Sequence, residues 1–117
     1  MSYPLTDETA TYVLIFWIVG ADGSTSFKEQ KTAQRVLDTL GYDTGKNLQT
    51  THSSLGAMST KHLEELIEGA ISYINRNFTD DKKRFTYQLL ETIAMSSGGI
   101  NKHEQQNLDR IKSRFGI

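Results

Sequence analysis

The sequence predicts an all-α protein, a single domain in which about five helices form two helix–loop–helix pseudo-repeats around a central apolar helix. Apolar residues recur at helical spacing in four segments, and no segment shows a convincing strand pattern. A fifth segment, residues 12–19, is apolar on every side. Residues 10–42 also resemble residues 85–117 at a shift of 75 positions. Because 117 residues is an ordinary size for one domain, we expect a single domain over residues 1–117.

The first predicted helix contains the longest apolar run of the chain, YVLIFWIV at residues 12–19. Thr6 is a good N-cap residue, and Asp7 and Glu8 follow it in the first turn, where the helix dipole favours negative charge. A run this rich in β-branched residues also fits a buried strand, but its length and its cap favour a helix. A helix that is apolar on all faces is usually buried on all faces. We therefore expect it at the centre of the bundle, with Trp17 largely buried.

Four further helices are predicted by amphipathic spacing. The second covers about residues 27–40, the third begins at Ser59, the fourth begins near Thr79, and the fifth runs from about Lys102 to the end. Each has apolar residues at intervals of three and four, which place them on one face of a helix. In the fourth helix this apolar set includes Phe85.

Residues 41–58, GYDTGKNLQTTHSSLGAM, are rich in Gly, Ser and Thr and predict a long loop. Loops of this length are uncommon inside a compact domain and are often functional. Two interpretations stay open, a solvated crossover between helices and a lid over a ligand site.

Composition excludes several classes of protein. The formal net charge is −1, whereas nucleic-acid binders usually have a strong basic excess. The chain has no cysteine, which excludes disulfides, thiolate metal sites and cysteine nucleophiles. The apolar run of eight residues is far shorter than the roughly 20 that span a bilayer, and no basic segment precedes it as in a signal peptide. We expect a cytoplasmic protein that does not insert into membranes.

The internal repeat is visible when the chain is shifted by 75 residues. TYVLIFWIVGADGSTSFKEQKTAQRVLDTLGY then lies over TYQLLETIAMSSGGINKHEQQNLDRIKSRFGI. The identical pairs are Thr11/Thr86, Tyr12/Tyr87, Leu14/Leu89, Ile18/Ile93, Gly23/Gly98, Glu29/Glu104, Gln30/Gln105, Arg35/Arg110 and Gly41/Gly116. We predict two helix–loop–helix units related by an approximate two-fold axis, with the third helix between them.

Both units contain the pattern of a helix N-terminus. Ser26 precedes Glu29 by three residues, and Asn101 precedes Glu104 by the same interval. In a capping box the first side chain accepts a hydrogen bond from the backbone N–H of the Glu, whose carboxylate reaches back to the cap. The two shared Glu residues therefore have a structural explanation that requires no ligand.

A cation site depends on Asp22, which no cap requires. With Glu29 and the oxygens of residues 24–26, Asp22 offers Ca²⁺ or Mg²⁺ a partial oxygen shell. The equivalent position in the second loop is Ser97, which carries no charge, and neither loop has the EF-hand pattern. We expect any divalent cation to bind weakly, and in the first loop.

A buried helix that ends in ADG, a Glu seven residues after that Asp, and a second unit with similar spacing resemble the tellurite-resistance TerB-like family. The resemblance covers nearly the whole chain except residues 41–58. It implies a small all-α cytoplasmic module of bacterial tellurite-resistance and stress systems, which works beside a membrane-embedded partner of the TerC type. It also implies acidic residues that bind divalent cations, and these fall on Asp22, Glu29 and Glu104. Ser97 replaces the second Asp of the family pattern.

The histidines do not form a catalytic pattern. His62 and Glu65 are three residues apart on the third helix and are expected to be a solvated pair. His52 belongs to the long loop, and His103 to the first turn of the last helix. Because spacing does not gather a His, a carboxylate and a nucleophile, it indicates no catalytic triad.

The last helix is basic through Lys102, Arg110, Lys112 and Arg114, which we expect to form a solvated face; the alternative is a weak patch for an acidic partner. Two functional classes remain. The favoured one is a non-enzymatic interaction module with a protein partner, present as a monomer or a homodimer. The alternative is a small metal-dependent enzyme or ligand sensor that uses residues 41–58 as a lid.

Overall fold

The computed structural model describes residues 5–19, 27–39, 41–42, 54–96, 100 and 102–117. Within them the chain forms the helices α1 (Asp7–Val19), α2 (Phe27–Thr39), α3 (Thr60–Asn77), α4 (Asp80–Met95) and α5 (Lys102–Phe115). A short helical segment covers residues 54–56, and the described residues contain no strand. The predicted all-α bundle is confirmed. No helix in these ranges is both long enough and apolar enough to cross a membrane.

Local hydrogen bonds explain where three of the helices begin. The N–H of Thr9 donates to the Thr6 hydroxyl at 3.2 Å, and the N–H of Thr6 donates to the Thr9 hydroxyl at 2.7 Å. This is the reciprocal geometry of a capping box, with a Thr in the place of the usual Glu. Ser59 and Thr79 each accept from the N–H three residues ahead, at 3.3 and 3.2 Å. The predicted starts of α1, α3 and α4 are confirmed.

Helix α1 lies at the centre of the bundle and packs against α3, α4 and α5. It supplies much of the core, whose buried apolar residues are Ala10, Tyr12, Val13, Leu14, Ile15, Ile18, Ala33, Leu37, Leu55, Ile67, Ala70, Ile71, Ile74, Phe78, Leu89, Leu90, Ile93, Ala94, Leu108, Ile111 and Phe115. Trp17 is partly buried and packs against this core, which agrees with the prediction that it is largely buried. It lies in the last turn of α1, beside a cavity that neighbouring helices do not fill.

Two expectations need correction. Leu55 falls in the segment predicted as a loop, yet it belongs to a helical turn and is only 1% exposed. Burial of this apolar side chain ties the end of the segment to the core, and residues 43–53 lie outside the described ranges. Phe85, part of the apolar set predicted for α4, is 45% exposed because the core contacts the opposite side of that helix.

Helices α2 and α5, which start 75 residues apart, end in the same local structure. Gly41 and Gly116 have positive φ angles of 79° and 71°. At each site the Gly N–H donates to the carbonyl three residues back, at 3.0 and 3.2 Å. The N–H of the following residue donates to the carbonyl five residues back, at 3.0 and 3.3 Å. This is a Schellman cap, which favours glycine in the left-handed conformation.

The first helices of the two units also share local structure. The hydroxyls of Thr11 and Thr86 donate to the carbonyls of Asp7 and Lys82, each at 2.8 Å. Asp7 and Lys82 are themselves 75 residues apart and form an ion pair at 2.8 Å. In a two-fold arrangement, equivalent residues contact each other only close to the axis. The predicted axis would therefore pass between these two side chains.

Candidate functional site

The predicted cation ligands fall mostly outside the described side chains. Asp22 lies outside the described residues, and Glu29 is described only through its backbone in the first turn of α2. Glu104 is 5% exposed, in the first turn of α5, where its cap was predicted. Within the described residues, no three His or acidic side chains are grouped as metal ligands. The cation prediction remains a prediction, and Asn101, the proposed cap of α5, also lies outside the described ranges.

A cavity of about 290 Å³ lies between the end of α1 and the first turns of α3 and α5. Its described lining residues are Phe16, Trp17, Thr60, Leu63, Glu64, Ile67, His103 and Asn107. The four apolar side chains come from α1 and α3, while the polar ones come from the first turns of α3 and from α5. A pocket with an apolar lining and a few converging polar groups is the usual form of a binding site.

Trp17 is held against the cavity by two residues of α5. The Arg110 guanidinium lies 5.0 Å from the centroid of the Trp17 ring, within the range of a cation–π contact. The Asn107 side-chain amide donates to the Trp17 carbonyl at 3.3 Å. This carbonyl belongs to the last turn of α1, where carbonyls lack partners within the helix. The ring is therefore positioned both by stacking and by its own backbone.

An ion-pair network continues from Arg110 along the contact of α3 with α5. Arg110 binds Glu64 at 2.7 Å and also binds Glu68, and Arg114 binds the second oxygen of Glu68 at 2.5 Å. Hydrogen bonds from Arg114, and then from Arg110, lower the pKa of the Glu68 carboxyl below its usual value. Asn75 adds a bond from its amide to the Arg114 carbonyl at 3.0 Å. Arg110 and Arg114 stay 37% and 40% exposed, in agreement with the predicted solvated face, but acidic residues of α3 neutralise their charge.

A second network joins α1, α3 and α4 at the other end of α1. Asp7 accepts from Lys82 through one oxygen and from the Tyr73 hydroxyl through the other, both at 2.8 Å. The bond from Lys82 is the main reason why the pKa of the Asp7 carboxyl is lowered, and the bond from Tyr73 adds to it. The Lys82 ammonium also lies 4.1 Å from the centroid of the Phe78 ring. Because these groups bind one another, the network stabilises the fold and offers no reactive group.

The described histidines lie at the surface. His62 and Glu65 are both exposed on α3, as expected of a solvated pair, and His103 is exposed at the rim of the cavity. His52 lies outside the described residues. Of the two described histidines, His103 lines the cavity and His62 does not.

Sequence reasoning missed the cavity itself. Its lining comes from three separate helices, and no motif joins them along the chain. The signal that was present is the matched spacing of two pairs, Glu64 with Glu68 on α3 and Arg110 with Arg114 on α5. Each pair is four residues apart and so lies on one helix face. Opposite charges at the same spacing are compatible with two helices packed side by side.

Comparison with protein-family models, with curated proteins and with solved structures found no match for this chain. The resemblance to the TerB-like family therefore stays a prediction based on the residues quoted above. A functional proposal has to start from the geometry of the cavity and its surroundings.

Proposed function

We propose that this chain is a non-catalytic interaction module of the TerB-like kind, which binds a protein partner through the cavity beside Trp17. The observation that carries the proposal is this cavity of about 290 Å³ at the junction of three helices. Its walls are largely apolar. Arg110 of α5, which binds Glu64 of α3, contacts the Trp17 ring at one side of the cavity. Because the site is already formed, binding does not require further segments of this chain to become ordered, and this lowers the entropic cost of association.

The volume sets the size of what binds. Pockets for drug-sized ligands begin at about 300 Å³, so this cavity suits one large side chain or a fragment of similar size. Phe16, Trp17, Leu63 and Ile67 present an apolar surface to it. An aromatic or branched aliphatic side chain of a partner would remove this surface from water, as the central anchors of protein interfaces do.

The rim would orient the partner's backbone. Thr60 and Asn107 carry both donors and acceptors, and His103 adds a ring nitrogen of each kind when neutral. Glu64 already accepts from Arg110, so its charge is partly neutralised and does not repel an apolar anchor. The arrangement matches the apolar centre and polar rim of protein interfaces.

The TerB-like resemblance supplies the cellular part of the proposal. The module would act in the cytoplasm of a bacterium in a tellurite-resistance or stress system, and its partner would be a membrane-embedded protein of the TerC type. A divalent cation, Ca²⁺ or Mg²⁺, would bind weakly through Asp22, with Glu29. Glu104 is 5% exposed in the first turn of α5, which favours its capping role over a role as a ligand.

The cavity is tested with small mimics of side chains. Trp17 is the single tryptophan of the chain, so its fluorescence reports on the cavity directly. We expect isopentanol, which does not fluoresce, to change Trp17 emission, and p-cresol, indole or isopentanol to shift amide resonances of Leu63 and Asn107. Leu63→Glu should abolish these changes, while Gln106→Glu, which adds the same charge at an exposed site of α5, should leave them intact.

The partner is tested with a displayed peptide library selected on the folded protein. Enriched peptides should share an aromatic or branched aliphatic anchor, and p-cresol should compete with them. Peptides that bind equally well to Leu63→Glu would contradict the site. Binding of the mimics without any competing peptide would instead favour the alternative function, a sensor of a small ligand.

A further inference from the structure

Glu64 brings a carboxylate to the cavity, and one of its two oxygens is left to accept a further hydrogen bond. Its Oε1 accepts from the Arg110 guanidinium at 2.7 Å, whereas its Oε2 has no hydrogen-bond partner among the described residues. Glu68, one turn further along α3, differs because Arg110 binds one of its oxygens and Arg114 binds the other. The Glu64 side chain is 51% exposed. The cavity therefore offers a ligand one accessible carboxylate oxygen.

Arg110 limits the charge that a group bound beside Glu64 can carry. Its guanidinium binds Glu64 and also lies 5.0 Å from the centroid of the Trp17 ring. A cationic side chain next to Glu64 would come close to this guanidinium and be repelled, and an anionic one would be repelled by the carboxylate. A neutral hydrogen-bond donor meets neither penalty, and its bond to an ionised oxygen is stronger than a bond between two neutral groups. The charges thus favour a neutral donor.

The remaining lining of the cavity favours a phenol as this donor. The four apolar side chains, two of them aromatic, suit an aromatic ring. Thr60 also lines the cavity, and its hydroxyl bonds to no described residue. Thr60 and Glu64 are four residues apart on α3, so they lie one turn apart on the same face. A phenol hydroxyl can donate to Glu64 and accept from Thr60, whereas an indole N–H only donates and a phenyl ring has no donor.

We infer that the anchor of the partner is a tyrosine whose hydroxyl donates to Glu64. This inference rests on the proposed function and adds the identity of the anchor to it. An exposed carboxylate is hydrated in the absence of a ligand, and an anchor without a donor would displace this water without replacing its hydrogen bond. Glu64 is therefore the residue that separates tyrosine from phenylalanine. Because about half of the side chain is exposed, we expect a discrimination of about five- to tenfold, well below that of fully enclosed sites.

Two compounds of similar shape test the inference: p-cresol, and p-fluorotoluene, in which a fluorine replaces the hydroxyl. Their dissociation constants are measured from the amide resonances of Leu63 and Asn107. Glu64→Met removes the carboxylate at similar side-chain length and should weaken the binding of p-cresol by about five- to tenfold. The binding of p-fluorotoluene should change by less than about twofold, which also shows that the cavity of the variant is intact. Glu65→Met is the matched control, since Glu65 is exposed on α3 outside the cavity lining, and it should change neither constant.

The results separate this inference from the proposed function. If both compounds bind to wild type and respond equally to Glu64→Met, the tyrosine anchor is wrong and the cavity remains a binding site. If neither compound shifts the resonances of wild type, the proposed function fails and the inference fails with it.

The peptide selection provides a second readout. Tyrosine should predominate at the anchor position of peptides selected on wild type. Replacing this tyrosine by phenylalanine should weaken binding to wild type but not to Glu64→Met, because the two changes remove the same hydrogen bond. A phenylalanine peptide that binds wild type as tightly as its tyrosine parent would overturn the inference.

Discussion

The ion pair of Asp7 with Lys82 should contribute a measurable coupling to stability. The two atoms are 2.8 Å apart, and the side chains are 44% and 41% exposed, so solvent screens much of the attraction. Exposed pairs typically contribute about 0.2–1 kcal/mol. We expect about 0.5–1 kcal/mol here, the upper part of that range, because Tyr73 holds the other oxygen of Asp7 and restricts the geometry.

The single variants should cost more than the coupling. Asp7→Asn also removes a negative charge from the first turn of α1, which is worth about 0.3–1 kcal/mol. Lys82→Met also removes the contact with the Phe78 ring, about 0.5–1 kcal/mol at an exposed site. We therefore expect a loss of about 1–2 kcal/mol for each variant. The double variant should cost less than the sum by the coupling energy.

Urea unfolding of the four proteins measures this cycle, at low salt and again in 1 M NaCl. The coupling should fall at high salt, where the Debye length is about 3 Å. Asp81 and Arg84 provide a matched control, since this pair on α4 is 3.4 Å apart and 98% and 58% exposed. Their cycle should show no measurable coupling. A coupling for Asp7 and Lys82 that equals the control value would refute the reasoning.

Four other outcomes are expected. Glu104→Ala and Glu29→Ala should each lower the free energy of unfolding by about 0.5–2 kcal/mol in denaturant melts, as for a lost helix cap. Gly116→Ala should cost about 1–2 kcal/mol through backbone strain alone, because its φ is +71° and nothing lies within 4 Å of the added Cβ. Thermal melts should show stability falling below about pH 4, because a carboxyl of lowered pKa such as Glu68 stabilises the fold only while it is ionised, and Glu68→Gln should weaken this dependence. Calorimetry should show weak Ca²⁺ or Mg²⁺ binding that Asp22→Asn abolishes, and tight binding that survives this change would contradict the site.

The helices could be predicted because their signals are local. Ser59 and Thr79 each accept a hydrogen bond from the N–H three residues ahead, so a short stretch of sequence is enough to predict these helix starts. The run at residues 12–19 has enough apolar side chains to indicate a buried helix without information from the rest of the chain. Gly116 ends α5 with a positive φ, and its match in the repeat is visible in the sequence. Apart from the match of Gly116 with Gly41 in the repeat, each of these features depends on residues within about two turns of helix.

The cavity could not be predicted because it depends on how far one helix extends past another. An apolar pattern on all sides of α1 indicates burial, yet it does not reveal that Trp17 lies at the open end. The bond from Arg110 to Glu64 of α3 also joins residues that are 46 positions apart in the sequence. Leu55 was missed for a related reason, since the few apolar residues scattered through this polar segment give no periodic signal.

The matching helices α1 and α4 differ in exposure, since α3 packs against α1 whereas Phe85 and Met95 of α4 are exposed. On α1, Ala10 and Val13 are fully buried, and the cavity forms where the first turns of α3 meet the last turn of α1. On α4, the matching residues Phe85 and Gln88 are exposed. This also accounts for the different patterns of the two helices: α1 is apolar all round, whereas α4 alternates exposed polar residues with two large apolar ones. The contact of α3 with α1 thus contributes to the core and also forms one wall of the cavity at the end of α1.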